Sequence, residues 1–210
     1  MAEGDLHRAA KEQISEALNA LSFCKNCATE RVLADVRPDI SLRINGVPVA
    51  VEIQDSAMAV EELYARTARY TKKGIYLLWV TPIVDEFTNG VEFRPAEWLR
   101  ALHGLYFGKV FAWVGGANVL PVKFDRVEHY KEGGYDYDAE YHDDRTYTPK
   151  TIRKAVIAAD NLHIAYDFSK LDRKRWVSGK TVIPAAKLWN AEYDAIKWQR
   201  LQITGRTELL

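Results

Sequence analysis

The chain has 210 residues, and its 29 basic and 29 acidic side chains cancel to no net charge. Apolar residues make up 48 % of it and six Trp are among them, enough for one packed domain or a core with an appendage. The charge balance excludes a global pull toward nucleic acid, and no stretch reaches the ~20 apolar residues of a membrane span. The start, Met1-Ala2-Glu3-Gly4-Asp5, lacks the basic-then-apolar order of a signal peptide, so a cytoplasmic protein without membrane contact is expected. Charge is uneven, however. Residues 1–124 carry 14 basic and 15 acidic groups, residues 125–148 carry 3 and 8, and residues 149–210 carry 12 and 6. The basic last third is suited to a phosphate backbone or is simply a solvated surface.

Residues 5–22 predict a helix, because Leu6, Ala10, Ile14, Ala17, Leu18 and Leu21 follow the 3.6-residue period. His7 and Lys11 share one flank of it; spacing alone reads them as a solvated pair. Cys24 and Cys27 are two ligands where structural zinc needs four, so two partly buried thiols at a helix end are expected. Residues 30–36 predict a short strand with Val32, Ala34 and Val36 on one face, and Glu30 as an exposed charge at its end.

Residues 37–54 predict a hairpin. Asn45-Gly46 lies between two apolar-alternating runs, and both residues tolerate the positive φ of a type I′ turn. A two-residue turn pairs 44 with 47 and 43 with 48, which carries Asp39 opposite Glu52. Ile40, Leu42, Ile44, Val47, Val49, Val51 and Ile53 then share a buried face, and Asp39, Glu52 and Gln54 share the other. Pro48 is tolerated because the N–H it lacks would point away from this partner strand. Like charges directly opposite are destabilising, so the carboxylate pair calls for a cation. Arg37 is one candidate; a hard divalent metal such as Mg²⁺ is the other.

Ser56 reads as the N-cap of a helix over 57–73 that Gly74 ends, with Val60, Leu63, Thr67 and Tyr70 on one stripe. Arg66 and Tyr70 are one turn apart. They form either a phosphate clamp with an aromatic or an Arg packed over a half-buried Tyr. The apolar run 75–80 predicts a buried central strand, and the intervening helix makes it parallel to the second hairpin strand. A helix is expected over 95–105, then strands near 106–114 and 117–124 joined at Gly115-Gly116. Residues 125–148, acidic and Tyr-rich, read as a loop. Thr148-Pro149 opens an expected helix (Ile152, Ala155, Val156, Ala159), followed by a strand over 162–168. A last helix is expected near Pro184, with Leu188, Trp189 and Ile196 buried. Arg173-Lys174-Arg175-Trp176 lies between these two and mixes charge with an aromatic.

Pro38-Asp39, twelve intervening residues and Glu52-x-Gln54 resemble the PD-(D/E)XK nuclease signature, with Gln in place of the final Lys. The Glu52-x-Gln54-x-Ser56 form, Arg66-x-x-x-Tyr70 and the strand from Gly74 to Trp79 resemble the competence protein CoiA-like nuclease family. The similarity spans about residues 7–79. His7 and Lys11 resemble a His-x-x-x-Lys pair on that family's first helix, and Glu30 matches an acidic position.

The resemblance implies an α/β (α+β) protein with a restriction-endonuclease-like αβββαβ core and a C-terminal α/β extension. The expected layout is a nuclease core over 1–124, the acidic loop over 125–148 and a basic, mainly helical extension over 149–210. It implies a metal-dependent deoxyribonuclease with Asp39, Glu52 and Gln54 catalytic. Mg²⁺ or Mn²⁺ would be held by Asp39, Glu52, the Ile53 carbonyl and Glu30. His7, Lys11, Arg66 and Tyr70 would face DNA, and a homodimer is compatible with this reading. A neutral Gln54 supplies no positive charge, so His7, Lys11 or Arg66 would have to. Two alternatives stand beside it. One is a DNA-binding, recombination-associated module of the same fold with weak or absent turnover. The other is an interaction protein whose carboxylate pair is neutralised by Arg37.

Overall fold

The computed structural model describes residues 4–88, 90–135, 137 and 141–167. The order begins with helix α1 (Asp5–Asn19), strands β1 (Cys24–Thr29), β2 (Ile40–Ile44) and β3 (Val47–Ile53), helix α2 (Val60–Lys72) and strand β4 (Tyr76–Pro82). This is the expected αβββαβ core of the restriction-endonuclease-like fold. It continues through β5 (Glu92–Phe93), α3 (Glu97–Leu105), β6 (Val110–Gly115) and β7 (Asn118–Arg126). Then come β8 (His129–Lys131), β9 (Gly134–Tyr135), β10 (Tyr141–His142), β11 (Arg145–Tyr147), β12 (Arg153–Ile157), β13 (Leu162–His163) and the short α4 (Ile164–Asp167). One mixed sheet holds most strands in the order β1-β2-β3-β4-β6-β7-β12-β5, with β13 also on β7. Among the described residues, no helix is long and apolar enough to cross a membrane.

The hairpin forms in the expected register. Ile44 faces Val47, Arg43 faces Pro48 and Ile40 faces Val51, and the turn puts Asn45 and Gly46 at φ 48° and 81°. Pro48 sits one residue before the parallel ladder of β3 on β4 begins at Val49↔Tyr76, so no neighbour needs its missing N–H. Strand β4 is buried at all seven positions, as a central strand covered on both faces must be. Helix α2 ends in a Schellman motif at Gly74 (φ 71°), with Gly74 N–H bonded to the Thr71 carbonyl and Ile75 N–H to that of Tyr70.

β4 and β6 pair only at Thr81↔Ala112 and Pro82↔Trp113. Before that point the Tyr106 hydroxyl takes the place of a strand. It accepts from the Trp79 N–H at 2.8 Å and donates to the Leu77 carbonyl at 2.9 Å. The buried backbone groups on that edge are thereby satisfied.

Several local expectations are corrected. The strand before the hairpin is β1 at 24–29, not 30–36. Glu30 and Ala34 have positive φ, and residues 33–36 form an isolated bridge in a turn. Val32 is consequently exposed. Cys24 and Cys27 are free and lie on that strand rather than at a helix end. Burial pushes both thiols above their ordinary pKa. Leu6, placed on the buried stripe of α1, is 58 % exposed, whereas Ala10, Ile14 and Leu18 are fully buried. Helix α2 starts at Val60 with Ala59 at its N-cap, so Ser56 does not cap it. The expected loop over 125–148 contains paired strands, β8 with β11 and β9 with β10. The expected helix after Pro149 is strand β12, held between β7 and β5. The strand expected over 162–168 is only β13 followed by α4. The helix near Pro184 and the segment Arg173-Lys174-Arg175-Trp176 lie outside the described residues.

Candidate active site

Asp39 and Glu52 sit at the open end of the hairpin, one step beyond the Ile40↔Val51 pair. Asp39 is fixed from two sides: its Oδ2 accepts the Ile53 N–H at 2.7 Å, and its Oδ1 lies 3.0 Å from His7 Nε2. The other ring nitrogen of His7 is 3.8 Å from Asp55 Oδ1. His7 therefore lies between two carboxylates, brought there by α1 passing the hairpin end.

Glu52 is 2 % exposed. Its Oε1 accepts the Tyr70 hydroxyl at 2.5 Å, and its Oε2 lies 3.4 Å from Arg66 Nη1. The one-turn spacing of Arg66 and Tyr70 on α2 thus aims both at one carboxylate. Arg66 also reaches Glu62 at 3.2 Å and lies over the Trp79 ring at 5.8 Å. Trp79 pairs with Glu52 across the parallel ladder, and its Nε1 donates to Thr67 Oγ1 at 3.0 Å. Burial, and then the neighbouring Asp39 charge, push the Glu52 carboxyl up to about 7; Tyr70 and Arg66 oppose the rise. Burial and Glu52 hold the Tyr70 hydroxyl far above its ordinary pKa, so it stays a donor.

Gln54 is 9 % exposed. Its Nε2 donates to the Ser56 carbonyl at 2.7 Å, and its backbone N–H donates to the Val80 carbonyl. Glu30 stands apart from the pair. Lys11 Nζ donates to its carboxylate at 2.6 Å and Arg37 bonds its other oxygen; these two cations hold its pKa down. Arg37 is therefore partnered with Glu30, and the side-chain contacts of the carboxylate pair come from His7, Arg66 and Tyr70 instead. His7 and Lys11 share a helix flank but serve different acids. Sequence reasoning missed Asp55, next to Gln54 and one more acid near the site, and Trp79, whose spacing reads only as core.

Among the described residues no group of three or more His, Cys, Asp or Glu side chains is arranged to hold a metal ion. The Asp39/Glu52 pair nevertheless fits a hard divalent cation. Both donors are carboxylate oxygens, and part of the upward push on Glu52 comes from the Asp39 charge that a shared cation would neutralise.

An αβββαβ core with an acidic pair at its hairpin end defines a restriction-endonuclease-like protein. Residues 3–102 match the family model described as the nuclease-like domain of competence protein CoiA. Over these residues the chain carries a CoiA-like, nuclease-like domain. No curated protein and no solved structure gives a significant match to the chain.

Proposed function

We propose that this protein is a metal-dependent nuclease that hydrolyses DNA phosphodiester bonds. The observation that carries the reading is the Asp39/Glu52 pair, each carboxylate held by two hydrogen-bonding partners at the end of a CoiA-like hairpin. Asp39 and Glu52 would hold Mg²⁺ or Mn²⁺, with the Ile53 carbonyl as a further donor; Glu30 is occupied by Lys11 and Arg37. A bound divalent ion supplies acidity to an attacking water and charge neutralisation at the phosphate. Gln54 orients that water or the scissile phosphate through its amide. Arg66 carries the positive charge that Gln54 lacks, and His7 keeps Asp39 in place. Tyr70 holds Glu52 in one rotamer.

The test is cleavage of supercoiled, linear and single-stranded DNA with Mg²⁺, Mn²⁺ or EDTA by wild type and Glu52→Gln. Gln is chosen because Glu52 is buried against Tyr70 and Arg66, so truncation to Ala would also disturb packing. Wild type is expected to cut only with metal, and the variant at least ~10²-fold more slowly. A variant that cuts at the wild-type rate sinks the assignment.

A second reading is a DNA-binding module with weak or no turnover. It is favoured by Gln54, whose neutral amide nitrogen is already bonded to Ser56. Metal-independent DNA binding, with no products under any divalent ion, would put it first.

A further inference from the structure

We propose that the junction of β7 and β12, outside the residues matched to the CoiA family, is a phosphate-binding site that grips a nucleic-acid backbone. The choice of nucleic acid rests on the nuclease reading; the anion site itself does not.

Arg126 on β7 faces Arg153 on β12. The N–H and C=O of Ala155 are both directed to the opposite side of β12, toward Val91 and Gly90. Pairs on β7 alternate, so Ala155↔Phe124 and therefore Arg153↔Arg126 are non-hydrogen-bonded pairs, in which side chains approach most closely. Two arginines are thus set directly opposite at the closer of the two cross-strand backbone spacings, and like charges in such a pair are unfavourable on their own.

The neighbouring pair on the other face, Asp125↔Lys154, is complementary. The Arg pair has no such relief. Among the described residues neither Arg126 nor Lys150 has an ion-pair partner, and Arg153 only donates from Nη1 to the Ile152 carbonyl at 2.7 Å. These groups surround a cavity of about 260 Å³ lined by Arg126, Thr148, Pro149, Lys150 and Arg153. Three cations, one hydroxyl and no acid form that lining. Guanidinium forks match phosphate oxygens two at a time, and an ammonium adds a point charge. A bound phosphodiester would remove the repulsion that the strand pairing imposes.

The test is fluorescence anisotropy in EDTA, with a 20-mer duplex and the matching single strand as probes. Wild type is compared with the double variant Arg126→Ala/Lys150→Ala, both exposed positions, whose thermal stability without ligand should not fall because the cross-strand repulsion is relieved. The variant should bind several-fold more weakly, and its slope of log K against log salt should fall by about two. Millimolar inorganic phosphate should compete only weakly against the polymer. Unchanged affinity and slope would overturn the site. So would inorganic phosphate that shifts the Arg126 and Arg153 side-chain NMR signals while the variant binds DNA normally; that result marks a free-anion pocket. If the variant loses affinity but wild type makes no products with any divalent ion, the nuclease reading fails and this site stands.

Discussion

Glu52 is buried and His103 half-buried in the same sheet protein, and loss of solvent drives each toward its neutral form. Their surroundings differ. Glu52 has a hydroxyl and a guanidinium aimed at its oxygens and a second carboxylate beside it. His103 on α3 stacks on Phe124 at 4.8 Å and accepts the Phe124 N–H at 3.1 Å, a bond only the neutral ring can take. Burial lowers it to about 4. One buried group keeps partners for its charged form; the other is satisfied only without charge. That difference separates a carboxyl surrounded by partners for its charge from a ring satisfied only when neutral.

The two groups should drive stability in opposite directions with pH. Between about 4.5 and 7 the unfolded chain has an ionised Glu52 while the folded chain keeps it protonated, so stability falls as pH rises. Between about 4 and 6.5 the unfolded chain has a protonated His103 while the folded one is neutral, so stability rises with pH. Each contributes on the order of 3 kcal/mol, and over the shared window they largely cancel. Urea unfolding in EDTA from pH 4 to 8 should expose the cancellation. Glu52→Gln should leave a profile that climbs with pH, and His103→Gln one that declines. Identical profiles for the two variants would erase the contrast.

Adding Mg²⁺ sharpens the same comparison. On the nuclease reading it should remove the decline due to Glu52 and leave the His103 limb untouched. Its stabilisation should be larger at pH 8 than at pH 5, readable as a shift in Tm.

Smaller effects test the frame around these groups. Tyr106→Phe should cost about 2 kcal/mol, because the Trp79 N–H and Leu77 carbonyl lose their partner. Gly46→Ala should cost about 1 kcal/mol through its φ of 81° alone, since nothing lies near the added methyl. Denaturant midpoints would check both.

The hairpin was the most legible part of the chain. Asn45-Gly46 sets a turn whose length fixes the register, and the register sets Asp39 against Glu52. The next strand was legible for a related reason: β4 is buried throughout, so its run is continuously apolar. Strand β1 was not, because Cys24–Thr29 is half polar without a clean alternation and takes its conformation from pairing with β2. β12 was misread as a helix. Ile152, Ala155, Val156 and Ala159 match a helical period, yet pairing with both β7 and β5 prevails over it. At the site, spacing placed Arg66 beside Tyr70 and His7 beside Lys11, but not their targets. Which acid each side chain meets depends on how α1 and α2 cross the sheet, and no local pattern encodes that.

The phenol of Tyr106, at the end of α3, bonds the edge of β4 where its ladder with β6 has not yet begun. The last strand of the αβββαβ core and its sheet neighbour from the later part of the chain therefore share only two residue pairs, with one side chain filling the gap before them. In hydrogen-exchange terms the amide of Trp79 is a clock for that seam. Its protection reports separation of the core from the later strands, while the amides shared by β3 and β4 report opening of the core itself.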